Sequence, residues 1–368
     1  MSAAPVFIAG RGLVSSLGWG WAPAKAALLQ APRPAARMTL ADGQAWPLHA
    51  LPPLAGTWQQ RLAQAVRAVV AQAGVPARPG LPLFIGSSSL DMGHEEEQAR
   101  HGGAAFAGDL CSLADAVAHA LDWPGPVFCF STACTSAAQA LCAARDWLRA
   151  GESEHALVLG VEMDNGFTPA GFAGLQLLSP GRARPFAAQR DGLVPGQAVA
   201  ALHLQTRPTR WRLAGAANVV DGSQPTGAVP QALEAAARQA LAEAGCRAEQ
   251  VDRIKVQAAG SPGNDAAEAQ ALRALFGTPA ATPPLMGFKP WIGHCMGASA
   301  AVELALLLGC LEDGIDPAAL PPDAQPDPAF GLRWARAAAP SPRVDRVLFH
   351  TLGFGGGHSA LVLEAQRP

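Results

Sequence analysis

The chain has 368 residues, 49% of them hydrophobic and 15% charged, with a formal net charge of -2. So high an apolar fraction excludes a disordered chain and supplies a sizeable core, enough for two domains or one large duplicated one. The near-neutral charge, without a basic block or basic–aromatic interleaving, argues against a nucleic-acid partner.

Residues 5–14 (PVFIAGRGLV) read as a strand ending at glycines. Residues 61–75 carry apolar positions at three-to-four spacing and read as a helix closed by Gly74. Strands are expected at 81–86 and in VFCFST (127–132). A helix follows from Thr135 to Ala150, closed by Gly151, and then strands at 155–163 and 198–205. A second series repeats this order: strand 210–220, helix 231–246, strand-like 251–260, helix from Met296 to Leu311, and strands at VDRVLFHTLG and SALVLEA. AQAGV at 71–75 and AEAGC at 242–246 end helices of the same length ahead of an apolar strand, which favours an internal duplication. Alternating strands and helices imply parallel βαβ layers, with sheets between helices. The proline- and alanine-rich zones 31–56 and 315–342 read as surface connections, and 87–110 as a loop or short capped helix near a pocket.

No stretch approaches the roughly 18 uninterrupted apolar residues of a membrane span. The opening MSAAPVFIAGRGLV lacks a charged segment followed by a long apolar one, so no signal peptide is expected. Seven cysteines without CxxC spacing argue against a disulfide framework and a metal site, and a cytosolic, reducing location is expected.

Four stretches carry chemistry. In FSTACTSAAQAL (130–141), Cys134 stands where a strand gives way to a helix, among small neighbours. Helix-start N–H groups lower a thiol pKa, which suits a nucleophile. The alternative is a buried packing residue, the reading given to Cys129, Cys142 and Cys310. In GFKPWIGHCMGASAAVELALLLG (287–309), His294 follows Gly293 ahead of a helix and can present its imidazole to a thiol or carbonyl. Lys289 and Glu303 sit in apolar company, either paired or reaching solvent. In VQAAGSPGNDAAEAQALRALFG (256–277), Asn264 or Asp265 can cap the following helix. In LFHTLGFGGGHSALVLE (348–364), Phe354 stands among glycines, as in a close backbone approach, a mobile loop or an ordinary hairpin.

Taken in order, these stretches resemble the β-ketoacyl synthase family of the thiolase superfamily, in its elongating branch. STACTSA resembles the nucleophile segment, KPWIGHCMGASAAVE the lysine–glycine–histidine segment, and GFGGG the loop that gates the acyl pocket. RPFAAQRDGLVPGQA (184–198) and VFIAGRGLVSSLG also match family segments. The resemblance covers nearly the whole chain. It implies a thiolase-like duplicated α/β fold, a layered α-β-α-β-α sandwich, with an N-terminal half at 1–208 and a C-terminal half at 209–368.

The resemblance also implies a decarboxylative Claisen condensation in fatty-acid, polyketide or aryl-polyene synthesis. Cys134 is the implied nucleophile, His294 a donor, and Lys289 paired with Glu303 holds the electrostatics. The N–H groups of Cys134 and Phe354 form the implied oxyanion hole, and Phe354, Gly355, Gly356 and Asp265 are expected on the substrate side. No resident cofactor is implied, because substrates ride on the phosphopantetheine of an acyl carrier protein. The expected partners are that carrier and a second chain, in a homodimer or a heterodimer with another ketosynthase.

The sequence departs from the family at several positions. The first family histidine falls on Gln257, the GEG glutamate on Gln197 and the PFD aspartate on Ala187. Glutamine can donate a hydrogen bond but cannot shuttle a proton at neutral pH, a loss of about 10²–10⁴-fold in an assisted step. Three functions follow: an active condensing enzyme, a non-elongating partner subunit like a chain-length factor, or acyl transfer or thioester hydrolysis without condensation.

Overall fold

The computed structural model describes residues 4–75, 78–103, 109, 111–318, 320–335 and 343–366. The first series of elements is β1 (Phe7–Ser15), β2 (Gly18–Trp19), α1 (Trp21–Leu28), β3 (Ala36–Thr39), β4 (Ala45–Leu48), α2 (Trp58–Ala73), β5 (Leu83–Gly86), α3 (Met92–Arg100), α4 (Ser112–Leu121), β6 (Val127–Phe130), α5 (Ser136–Arg149), β7 (His155–Glu162), α6 (Phe167–Gly174) and β8 (Ala198–Gln205). The second is β9 (Trp211–Val220), α7 (Pro230–Ala244), β10 (Arg253–Lys255), α8 (Pro262–Phe276), β11 (Leu285–Met286), α9 (Lys289–Ile292), α10 (Ser299–Asp313), β12 (Arg346–Gly353) and β13 (Gly357–Ala365).

The strands run in the order β6-β5-β7-β8-β1 in the first series and β11-β10-β12-β13-β9 in the second. With β2, which pairs only with β1, and the separate β3–β4 ribbon left aside, the five strands of each unit, numbered in chain order, read 3-2-4-5-1. The pairings agree as well. β5 is parallel to β6 and β7, and β10 to β11 and β12, while the remaining pairs are antiparallel. The two five-strand units meet where β1 pairs with β9, at Phe7–Arg212 and Ile8–Trp211.

Three apolar clusters produce five layers. One packs α2 and α4 on the outer face of the first unit, and another packs α7 and α8 on the outer face of the second. The largest lies between the units and holds α5 and α10. α10 is buried from Ser299 to Cys310 because it faces sheet on two sides, so its sequence ASAAVELALLLGC is apolar all round. The fold is the expected α-β-α-β-α sandwich.

Local signals explain several boundaries. α2 begins three residues ahead of the apolar repeat because Thr57 and Gln60 form a capping box, and it ends at Gly74 in a left-handed conformation. Elsewhere the structure corrects the sequence reading. Zone 31–56 holds the ribbon β3–β4 and an extended stretch tied by His49 to Gly196, so it is not only a surface connection. α8 is capped at Ser261 with Pro262 at its first position, and neither Asn264 nor Asp265 is the cap. Only Arg253–Lys255 of the strand-like 251–260 joins the sheet. Within 87–110 a helix, α3, is present, and 104–108 and 110 lie outside the described residues. In 315–342, two 3-10 turns and a bridge from Leu285 to Trp334 are seen, with 319 and 336–342 outside the described residues. α4 and α6 were not anticipated, because both are short and alanine- or glycine-rich.

Candidate active site

β6 ends at Phe130, and the chain then makes a 3-10 turn at Ala133–Thr135 before α5. Hydroxyls lace this turn: Thr135 Oγ1 donates to Thr132 O at 2.7 Å, Ser136 Oγ to Ala133 O at 2.6 Å, and Thr132 N to Ser136 Oγ at 3.0 Å. Ala133 is held at φ 52. That strain swings Cys134 out of line with both elements, and strain of this kind accumulates at active sites. Gly353 passes so close that a Cβ there would stand 2.9 Å from Cys134 N.

Burial pushes the Cys134 thiol up to about 12, and the Glu162 carboxylate adds to the rise. Lys289 and the backbone N–H groups of Phe354 and Cys134 act in the opposite direction without prevailing. The expected activation by the helix start is therefore outweighed by desolvation, and Cys134 rests as a neutral thiol. The Phe354 and Cys134 N–H groups lie close enough to the sulfur to favour its charged form, though burial outweighs them.

His294 is strapped in place by the 194–196 segment: its N–H donates to Val194 O at 2.7 Å and its carbonyl accepts from Gly196 N at 2.8 Å. Its Nδ1 accepts from Met296 N at 3.2 Å and lies 3.1 Å from Ser299 Oγ. The proton of the neutral ring therefore sits on Nε2. Burial, with Lys289 and Lys255 nearby, holds the imidazole well below its ordinary pKa, so it stays neutral.

Gln257 faces this nitrogen. Its Nε2 is 3.5 Å from His294 Nε2 and donates to Leu352 O at 3.1 Å. The Leu352 carbonyl sets which end of the amide faces the imidazole. Two N–H donors thus lie side by side with neither able to accept from the other, a geometry that suits one shared oxygen acceptor. Glu268 anchors Gln257 from behind, accepting from Gln257 N at 2.8 Å and Ala258 N at 3.0 Å. Ala258 and Met296, like Ala133, have positive φ, so each of the three polar side chains has a strained residue within two positions.

Lys289 and Glu303 form a buried ion pair, so of the two readings of their apolar company the paired one holds and neither reaches solvent. Sequence reasoning missed a third member. Lys255 is fully buried and also pairs with Glu303, donates to His350 O at 3.2 Å, and lies 4.1 Å from the Phe349 ring centre. A lysine flanked by Ile254 and Val256 in a central strand was the available signal. Glu268, three residues after Asp265, and Glu162, which accepts from Ser89 N at 3.1 Å and Gly297 N at 3.0 Å, were missed too.

Cys134, Phe354, Met296, Phe172, Ser88 and Thr168 help line a cavity of 330 Å³. Phe354 packs on Phe172 with ring centres 5.4 Å apart. Gly355 and Gly356 both have φ 77, and a Cβ on Gly356 would stand 1.9 Å from Asp221 O. These glycines shape the loop behind Phe354 and are not among the lining residues. Asp265 is buried away from the cavity. It accepts from Phe186 N at 2.7 Å and Gly260 N at 3.1 Å, and so joins the RPFAAQRDGL segment to the turn after Gln257. Burial raises its pKa to about 7 despite those two bonds. Gln197 accepts from Leu51 N at 3.0 Å and holds the segment leading from the β3–β4 ribbon.

A five-layered duplicated fold with a buried cysteine at a strained turn, and paired donors and a lysine–glutamate cluster in the same half of the core, defines a thiolase-like architecture. The profile of the β-ketoacyl synthase N-terminal domain matches residues 55–209, and that of the C-terminal domain matches 212–322. The chain belongs to the β-ketoacyl synthase family. It is 28% identical over 262 residues to nodulation protein E of Rhizobium sp. (strain N33), covering 68% of this chain and 64% of that protein. It is 31% identical over 275 residues to a putative polyketide beta-ketoacyl synthase 1 of Streptomyces virginiae, covering 70% of this chain and 64% of that protein. The match thus spans less than two thirds of these relatives' own length. Among solved structures, a chain of the ketosynthase–chain length factor complex of Xenorhabdus doucetiae superposes with a TM-score of 0.83 at 22% identity, covering 99% of this chain and 98% of that one. A beta-ketoacyl synthase of Burkholderia phymatum STM815 gives 0.81 at 22% identity, covering 99% and 100%. Among the described residues no helix is long and apolar enough to cross a membrane.

Proposed function

We propose that the protein is a β-ketoacyl synthase-type condensing enzyme that acts on acyl carrier protein thioesters. The observation that carries this reading is the donor pair of Gln257 Nε2 and His294 Nε2, 3.5 Å apart, joined to the cavity-lining Cys134 through Ala259 and Met296, which pack in one cluster with it. In the first half-reaction the Cys134 sulfur attacks the acyl thioester. The N–H groups of Cys134 and Phe354 hold the oxyanion, and the carrier thiolate leaves with the cysteine proton. In the second, the malonyl thioester oxygen rests between Gln257 and His294. The bond to the carboxylate breaks, carbon dioxide leaves, and the electron pair enters the enolate. Its carbon attacks the Cys134 thioester, and the cysteine sulfur is expelled. The expelled Cys134 thiolate takes one proton from solvent, replacing the one lost with the carrier thiol, and with that proton the atoms and electrons balance without a resident cofactor.

Gln257 supplies the hydrogen bond but not the charge or proton of a histidine, so it lowers the rate of decarboxylation without abolishing it. Phe167 of α6 and Leu175 just after it line the cavity yet are 60% and 54% exposed, which favours a second chain of the same fold across its mouth, as a homodimer or with another ketosynthase. A non-elongating partner subunit is the second reading, favoured by the same exposed wall and by Gln257. Incubation with acyl and then malonyl carrier protein separates the two. An intact-mass adduct on Cys134 followed by a β-ketoacyl product supports condensation. No adduct, with stable co-purification of a second ketosynthase chain, overturns it in favour of the partner subunit.

A further inference from the structure

Lys255 ends β10 two residues before Gln257, and its charge acts on His294, the other member of the donor pair. The charged and titratable groups that face Lys255 come from every neighbouring element. They are Glu303 on α10, Lys289 on α9, Glu268 on α8, His350 on β12, and His294. Lys289 and Glu303 alone would cancel. Glu268, which holds the Gln257 and Ala258 N–H groups and has His350 Nδ1 3.7 Å away, would then remain as the uncancelled carboxylate beside the donor pair unless His350 carried a proton.

Resting on the condensation reading above, we propose that Lys255 is a positioning residue that balances Glu268. It shares the Glu303 carboxylate with Lys289, so two ammonium groups offset two buried carboxylates beside Gln257 and His294. The negative charge that develops as carbon dioxide leaves then meets no net repulsion from that cluster. Cys134 acylation, which uses the backbone donors at Cys134 and Phe354, does not depend on this balance. Burial lowers the Lys255 pKa from 10.5 to about 8, so the balance is present below that pH and lost above it. Gln257 cannot take up a proton to compensate.

The test uses whole enzyme pre-acylated with a hexanoyl group on Cys134, mixed with malonyl carrier protein from pH 6.5 to 9.5. For wild type, single-turnover condensation should fall as pH rises through about 8. Lys255→Met should acylate at the wild-type rate but condense about 10- to 50-fold more slowly, the effect of one unit charge across a buried site at an effective dielectric near 20. Its profile should lack the fall near pH 8, and KM for malonyl carrier should stay unchanged while kcat drops. Should Lys255→Met fail to fold, Lys255→Gln, which keeps a donor to His350 O, takes its place. A variant that condenses at the wild-type rate with the wild-type pH profile overturns this inference alone. Wild-type enzyme that acylates no cysteine or makes no product overturns the condensation reading and this inference with it.

Discussion

Replacing Gln257 with leucine tests the donor pair, because leucine keeps the volume and removes both amide atoms. Gln257 is 1% exposed, so nothing from solvent takes the amide's place. On the condensation reading, the variant leaves His294 Nε2–H alone of the proposed donor pair to the malonyl thioester oxygen. Loss of one oxyanion donor in a preorganised site costs about 10²–10³ in kcat, roughly 3–4 kcal/mol. The amide is neutral and is shared with Leu352 O, so the lower end of that range applies. Stability should change by less than about 1 kcal/mol. The Leu352 carbonyl loses its partner, but Gln257 Oε1, which has no partner among the described residues, is removed with it. The assay is product formation from enzyme pre-acylated on Cys134, alongside urea unfolding. Acylation should be unaffected. Product formation within threefold of wild type, at wild-type stability, would refute the claim that Gln257 holds the reacting oxygen.

The other predictions concern the same site and loop. Gln257→His should raise condensation above wild type from pre-acylated enzyme; a rate no higher would show that glutamine does not limit the chemistry. Glu303→Ala strands two buried lysines and should destabilise the fold by about 3–5 kcal/mol, read by urea unfolding, whereas removing either lysine alone costs less. Cys134 alkylation by iodoacetamide, followed by peptide mass mapping, should rise about tenfold per pH unit from 7 to 10 without a plateau, because its thiol titrates near 12. A plateau below pH 9 would contradict that. Gly356→Ala must adopt φ 77 with its Cβ against Asp221 O, and should destabilise the protein by at least about 1–2 kcal/mol and displace Phe354.

The order of elements and the Lys289–Glu303 pairing were legible because both write themselves as periodicity and as charges stranded in apolar company. The repeated 3-2-4-5-1 topology was hinted at by AQAGV and AEAGC, since the same strand–helix–strand packing recurs in each series. The polar residues that support the site were harder to find. Lys255 and Glu268 lie in different elements from the groups they serve, and Glu162 reaches Cys134 only through the packing of β7 under the 297 turn. Glu162 leaves no local spacing, Glu268 stands eleven residues from Gln257 across a turn, and Lys255 is marked only by its apolar neighbours Ile254 and Val256. The thiol pKa was misjudged for a related reason. The helix start is visible in FSTACTSAAQAL, but the desolvation that outweighs it depends on β12 and the 294–297 turn closing over the sulfur. Asp265 was assigned to the cavity by its family position, whereas its two backbone bonds join the loops around the site and do not line the cavity.

The most direct test is intact-mass analysis of the protein and its Cys134→Ala variant after incubation with hexanoyl-carrier protein and then malonyl-carrier protein. Wild type should gain one hexanoyl group on Cys134, lose it on addition of malonyl carrier, and release one carbon dioxide per β-ketoacyl product, while the variant gains nothing. A wild-type protein that stays unacylated, or an adduct that survives malonyl carrier undiminished, would contradict the account.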